Sequence, residues 1–320
     1  MLNRAEAQTA KQLVVSALST LETGRFAVGV SLPHPEEGHE GYRVAIRVTD
    51  EEEYERVASR LRGIGLLRMD IDYEVTGAIQ AIEAAEPLPM PRVEKLHIGA
   101  SVSHFSGGPG TLGFFAELEG RRGFVSCNHV IARGDRYHLN DEILSPAVSD
   151  HGVPSVHTAG RLTRVAPLKD ADCAFAEAVP ARWPDQPGFL GARDGFLTSE
   201  LAPILSGLPV VKIGRSTGRR EGRIRAGWLD FFRFDLGYLS VNLHDVIEIE
   251  SAEKGSDGRY IPFCEPGDSG ALVFCKQGGV NRPVGLLFSK SSIHGPDNTG
   301  LGYASPIDKV TRALRVTMVV

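Results

Sequence analysis

Several features that mark whole classes of protein are lacking from this 320-residue sequence. No stretch approaches the ~18 consecutive apolar residues of a membrane-spanning helix, so no membrane association is expected. The opening MLNRAEAQTAKQLVVSALSTLETG scatters acidic and basic residues through its length. It has no continuous apolar h-region and does not read as a secretory leader, so the expected compartment is the cytoplasm. Cysteine is scarce: Cys127, Cys173, Cys264 and Cys275 form no Cys-x-x-Cys pair and no zinc-like spacing. In a reducing compartment they are expected to be buried free thiols rather than disulfides. An excess of positive charge is also missing. With 35 basic and 40 acidic residues the net charge is −5, which leaves no electrostatic footprint for nucleic acid. The local basic run GRSTGRREGRIR (214–225) carries no interleaved aromatics and reads as a solvated hairpin. RGD at 133–135 reads as chance. Repeats of fixed period and low-complexity tracts are absent as well.

What is present is ordinary globular composition, 42% hydrophobic and 23% charged, in a chain long enough for two or three compact units. Residues 4–22 place Leu13, Val14, Ala17, Leu18 and Leu21 on a helical face. RFAVGVSL and GYRVAIRVTD read as strands. TDEEEYERVASRLRGIG reads as a helix, with Thr49 or Asp50 as N-cap and acids in its first turn. DIDYEVTGAI gives a further strand, completing a small α/β unit near residue 85. AAEPLPMPR (84–92) then reads as a proline-rich linker. Beyond it, short strands punctuated by Gly and Pro argue for an all-β sandwich or barrel, and their extent suits two small barrels with a boundary near 183–203. The expected units are therefore 1–92, 93–190 and 191–320.

FCEPGDSGALVF (263–274) sets Ser269 between glycines and ahead of an apolar run. A serine hydroxyl attacks nothing near neutral pH without a base held against it. His129, at the end of the apolar strand GFVSCNHVIA, could be held rigidly at a strand edge. His138, His151 and His157 lie in polar stretches, and the spacings His34/His39 and His151/His157 suit solvated loops better than metal ligation. For a carboxylate, PLKDADCAFAEAV offers Asp170 and Asp172. Alternation puts Asp172, Ala174 and Ala176 on one face, which leaves room for an imidazole over Asp172 and favours it over the loop residue Asp170. Gly267 and Gly270 permit backbone conformations closed to other residues, and a turn aiming the Gly267 and Ser269 amides into one concavity would stabilise an oxyanion. A hairpin turn with a capping aspartate is the plainer reading of Gly-Asp-Ser-Gly alone.

Together, SCNHVIA, DCAFA and PGDSGALV resemble the trypsin/chymotrypsin-like serine peptidases, in the order His129, Asp172, Ser269 with gaps of 43 and 97 residues. GTLGFFAE, VKIGRSTGRREGRI and VGLLFS…GYASPIDKV narrow the resemblance, over 97–320, to intracellular bacterial trypsin-like peptidases. It implies a mainly β fold, a double β-barrel preceded by the N-terminal α/β unit. It implies peptide-bond hydrolysis by Ser269, His129 and Asp172, with Gly267 and Ser269 as the oxyanion hole and no metal or cofactor.

Position by position, the resemblance puts Phe263, six residues before the serine, at the base of the specificity pocket. Phe288 and Ser289 form its wall. An apolar base gives no reason to expect selection of Lys or Arg, Glu265 is nearby, and Lys290 would favour an acidic or polar substrate. Secreted trypsins pair a freshly cleaved amino terminus with the aspartate before the serine, here Asp268. HIGAS (97–101) loosely resembles such a terminus, but a plain lead-in to a strand is expected. The N-terminal unit is expected to regulate access, assemble subunits or bind a protein partner. The competing function is a trypsin-fold binding or scaffold protein that no longer cuts. An α/β-hydrolase esterase is excluded, because that fold wants Gly-x-Ser-x-Gly on a strand-to-helix turn and its histidine last.

Overall fold

A computed structural model describes residues 2–21, 25–31, 41–65, 71–81, 94–204 and 207–320. His34, His39 and the 84–92 stretch lie outside these residues. The first helix, α1 (Arg4–Leu18), starts at a capping box: the Asn3 side chain accepts from the Glu6 amide while the Glu6 carboxylate accepts from the Asn3 amide. Its Ala10, Val14 and Leu18 pack with residues of β1 (Phe26–Ser31) and β2 (Arg43–Val48). In α2 (Glu51–Gly63), Asp50 Oδ1 accepts from the Glu53 amide at 2.9 Å, and Val57 and Leu61 join the same apolar cluster. β1 pairs antiparallel with β2, and β3 (Ile71–Val75) pairs parallel with it. The sequence reading ran one strand through 70–79. The chain instead breaks at Gly77 (φ +70°) and resumes as β4, Ile79–Ala81.

The next sheet holds β5 (Ser101–His104), β6 (Gly110–Thr111), β7 (Phe114–Leu118), β8 (Arg121–Ser126), β9 (Glu142–Leu144), β10 (Thr158–Val165) and β11 (Ala174–Ala178), with the short helix α3 (Asn128–Ile131) after β8. Its order, β7-β8-β11-β10-β9-β5-β6, leaves it open. Phe114 and Phe175 on one face and Phe115 and Phe124 on the other are all buried in the main core. The β8–β11 approach depends on Gly123, where a Cβ would lie 2.1 Å from the Ala176 carbonyl oxygen. His97–Ala100 forms a turn leading into β5.

The second half contributes β12 (Pro209–Gly214), β13 (Gly218–Asp230), β14 (Phe232–Asp235), β15 (Ser240–Leu243), β16 (Val246–Ser251), β17 (Leu272–Gln277), β18 (Val280–Ser291) and β19 (Gly302–Pro306), followed by α4 (Ile307–Leu314) and β20 (Thr317–Met318). Pairing runs β12-β13-β16-β19-β18-β17 and back to β12, a closed six-stranded barrel. The chain is therefore mainly β, with one closed barrel, one half-open barrel and a small N-terminal α/β unit. Strand pairings tie these parts together, among them that of β4 with β18 and β14. β20 returns to β7 in the first barrel, and β1 extends the second barrel's sheet through β13.

The basic run forms the β12–β13 hairpin, but it is not a solvated one. Arg215 is buried against Asp150, Arg219 pairs with Asp194, and Arg223 pairs with Glu250. All four cysteines are buried and free. Among the described residues, no helix is long and apolar enough to cross a membrane.

Candidate functional site

β8 ends at Ser126, and the chain turns at Cys127 into α3, so His129 sits within a helical turn rather than on a strand edge. That turn aims both its amide and its ring at Asp172. The His129 amide donates to Asp172 Oδ1 at 2.9 Å, and ring Nδ1 lies 2.5 Å from Oδ2. An ionised carboxylate only accepts, so Nδ1 carries the proton and Nε2 is left as the basic nitrogen. Nε2 is buried without a hydrogen-bond partner among the described residues. Asp172 is fully buried, whereas Asp170 is exposed in the preceding loop. The Phe234 ring of β14 covers one flank of the imidazole at 5.9 Å. His138 and His151 are exposed, and His157 accepts from the Val153 amide.

The Ser269 turn is built around Asp268, which is fully buried. Its carboxylate accepts from Lys212 Nζ at 2.7 Å, Thr217 Oγ1 at 2.7 Å, and the amides of Ser216 (2.9 Å), Glu265 (3.0 Å) and Thr217 (3.1 Å). The counter-charge to Asp268 is thus an internal lysine. Sequence reasoning missed Lys212, although its place inside the otherwise apolar strand PVVKIG was a signal: a lysine at a core-facing position needs an acid. Burial pulls the Lys212 ammonium below its ordinary pKa, and the Asp268 carboxylate offsets part of that shift.

Gly267 (φ +93°) and Gly270 (φ +95°) take left-handed conformations. A Cβ on Gly270 would also lie 2.2 Å from the Thr111 carbonyl oxygen. Thr111 ties the turn to the first barrel: its amide donates to Ser269 O at 2.8 Å and its hydroxyl to Gly267 O at 2.8 Å. Among the described residues, neither the Gly267 nor the Ser269 amide donates to an acceptor. Ser269 is fully buried, and its hydroxyl donates to the Phe288 carbonyl over a long 3.3 Å rather than to His129.

Phe263 is buried beside Gly222 and Gly302. Phe288 is buried edge-on to Phe232 and Phe234, and Ser289 is buried as well. Lys290 does not present a free charge for an acidic substrate, because its Nζ lies 3.1 Å from Glu265 Oε2. Along this same edge the N-terminal unit intrudes. β4 pairs antiparallel with β18, placing Ile79 opposite Ser291, Gln80 opposite Lys290 and Ala81 opposite Ser289.

Cys127, His129 and Asp172 bring a thiol, an imidazole and a carboxylate within 4.8 Å of one another. Burial, with Asp172 adjoining, pushes the Cys127 thiol well up, and it donates to Leu287 O at 3.2 Å. A thiol held protonated in this way is a poor metal ligand.

No family model matches the chain, and no curated protein matches it. Among solved structures, it is similar to the Nocardiopsis protease NAPase, at 18% identity over 71% of this chain and 100% of that one, with a TM-score of 0.48. Thermobifida fusca protease A follows at 14% identity, 71% and 99% coverage, and 0.47. Cellulomonas bogoriensis chymotrypsin stands at 15%, 70% and 98%, and 0.46. These TM-scores lie below 0.5, and the reading of the site rests on its own geometry.

Proposed function

We propose that the chain is a serine endopeptidase working through Ser269, His129 and Asp172, kept latent in the cytoplasm by its N-terminal unit. The observation that carries this is the two-point grip of buried Asp172 on His129, which leaves Nε2 basic and unpartnered. Ser269 Oγ turns from the Phe288 carbonyl toward Nε2 and attacks the carbonyl carbon of a peptide bond. Its proton passes to Nε2, and the carbonyl oxygen becomes an oxyanion facing the Gly267 and Ser269 amides. One such donor is worth ~3–4 kcal/mol of transition-state stabilisation. The C–N bond then breaks, and Nε2 gives its proton to the leaving amine. Water, deprotonated in turn by Nε2, attacks the acyl carbon, the bond to Ser269 Oγ breaks, and Nε2 returns the proton to Oγ. Asp172 holds the tautomer and stabilises the imidazolium throughout. No metal or organic cofactor takes part.

The strand edge at Ser289–Ser291 runs on from Phe288 and offers backbone groups that an extended peptide would use to reach Ser269. β4 occupies it. A protein partner or second copy that draws β4 away is the trigger this arrangement calls for. A fluorophosphonate tests the nucleophile without needing the edge, and a peptide substrate needs both. Ile79 is buried in the main core, so Ile79→Asp should free β4 and raise peptide hydrolysis in the full-length chain, with labelling confined to Ser269. Labelling without any rise in hydrolysis would remove the latency. A non-cutting scaffold is the second reading, favoured by the Ser269–Phe288 bond, and a failure of both proteins to label would support it.

A further inference from the structure

Against His129 lies a cavity of about 210 Å³, lined also by the 106–109 loop, Val130, Arg133 and Arg136. Its charge is one-sided. Among the described residues, neither guanidinium pairs with a carboxylate. The nearby acids are committed elsewhere. Asp135 accepts from Asn128 Nδ2 at 2.7 Å and from the Leu168 amide at 3.3 Å, and Asp141 accepts from the His138 amide at 2.6 Å and lies 3.0 Å from His104 Nε2.

The Arg136 side chain and the backbone of the turn are also braced. Arg136 Nε donates to Arg133 O at 3.2 Å, and its guanidinium lies 3.7 Å from the centre of the Tyr238 ring. The Tyr238 hydroxyl reaches the Arg133 and Gly134 carbonyls at 2.9 and 3.0 Å. Arg133 itself holds φ +52°, a conformation uncommon outside glycine. A turn fixed in this way from the β14–β15 loop presents its cations at lower ordering cost than a free surface loop would.

The chemistry at His129 says which part of a substrate meets this cavity. Nε2 hands its proton to the leaving amine, so the residues that follow the scissile bond depart across the imidazole. The acyl half lies along the β18 edge instead. We infer that Arg133 and Arg136 form a binding site for acidic side chains in the first residues after the scissile bond, selecting substrates with Asp or Glu there. This rests on the peptidase reading.

The test uses full-length Ser269→Ala protein and two amidated tripeptides with free amino termini, Ala-Glu-Ala and Ala-Lys-Ala, which mimic the departing segment. The cavity is open with β4 in place, so binding does not depend on activation. Titration is followed by the NMR signals of the His129 ring. The glutamate peptide should bind at least about tenfold tighter than the lysine peptide. Arg133→Gln with Arg136→Gln should erase that preference, while Arg136→Lys should retain most of it. Equal affinity for the two peptides, a preference untouched in the double glutamine variant, or no saturable binding of either would overturn the proposal. Fluorophosphonate labelling of the Ser269 chain is read separately. An acidic preference without labelling removes the peptidase and leaves the acidic site. Labelling without a preference does the reverse.

Discussion

At the residue scale, the site depends on two buried carboxylates with different tasks. Asp172 fixes one tautomer of His129, and Asp172→Asn should cut the rate of Ser269 labelling by about 10⁴-fold with little change in fold, measured by labelling kinetics beside a thermal melt. Asp268 holds the turn and depends on Lys212. Lys212→Met should cost ~3–5 kcal/mol, because it strands a buried charge, and should lose labelling as well. Adding Asp268→Asn should restore much of the stability in urea melts, whereas equal melts for wild type and Lys212→Met would remove the pair from this role. The small residues following Asp172 made its place beside an imidazole legible in the sequence. The helical turn carrying His129 was not, since a four-residue helix is too short to be set by its own propensity and is shaped here by contacts with Asp172. Lys212 and Asp268 are 56 residues apart, and nothing local joins them.

At the element scale, both helices of the N-terminal unit turn an apolar stripe inward, Val14 and Leu18 of α1 and Val57 and Leu61 of α2. Leu13, read as part of that face, is exposed, and β1 is buried along its whole length rather than alternately. The cap at Asp50 was among the alternatives its sequence offered. β4 was hidden because a three-residue strand has no period to read, and its partners, β14 and β18, lie far along the chain, with Asp235 and Lys290 opposite Gln80. The joint before it is the sensitive point. Gly77 has φ +70°, and a Cβ there would lie 2.7 Å from Ser292 Oγ. Gly77→Ala should therefore cost about 1 kcal/mol or more. It should also speed amide hydrogen exchange at 289–291 with little effect on the first barrel. Unchanged exchange at 289–291 would mean that this joint does not hold β4 on the edge.

At the scale of the whole molecule, the N-terminal unit is held to the second barrel by a buried ionic seam. Arg47 is almost wholly buried and forks onto Glu248 at 2.8–3.0 Å while reaching Asp72 at 2.9 Å. Burial would raise Asp72, but Arg47 and Arg225 bring it down to about 2. Glu74 faces Arg47, Arg225, Asp72, Glu248 and His294, and burial, outweighing the two arginines, pushes it up to about 7 from 4.5. The folded state thus holds a proton there that the unfolded chain releases, so this group's contribution falls as pH rises from about 4.5 through 7. Glu74→Gln should gain on wild type in melting temperature as pH goes from about 5 to about 8, with His294 common to both proteins. Parallel curves would contradict this. Composition and pattern pointed to barrels, but a seam joining residues 201 positions apart arises only when the chain is folded. The central claim is that Ser269 is a nucleophile served by His129. Its most direct measurement is intact mass after fluorophosphonate treatment of wild type, Ser269→Ala and His129→Ala. A single adduct on the protein with both residues intact, and on neither variant, is the predicted result. No adduct on any of them, or an adduct that survives Ser269→Ala, would contradict it.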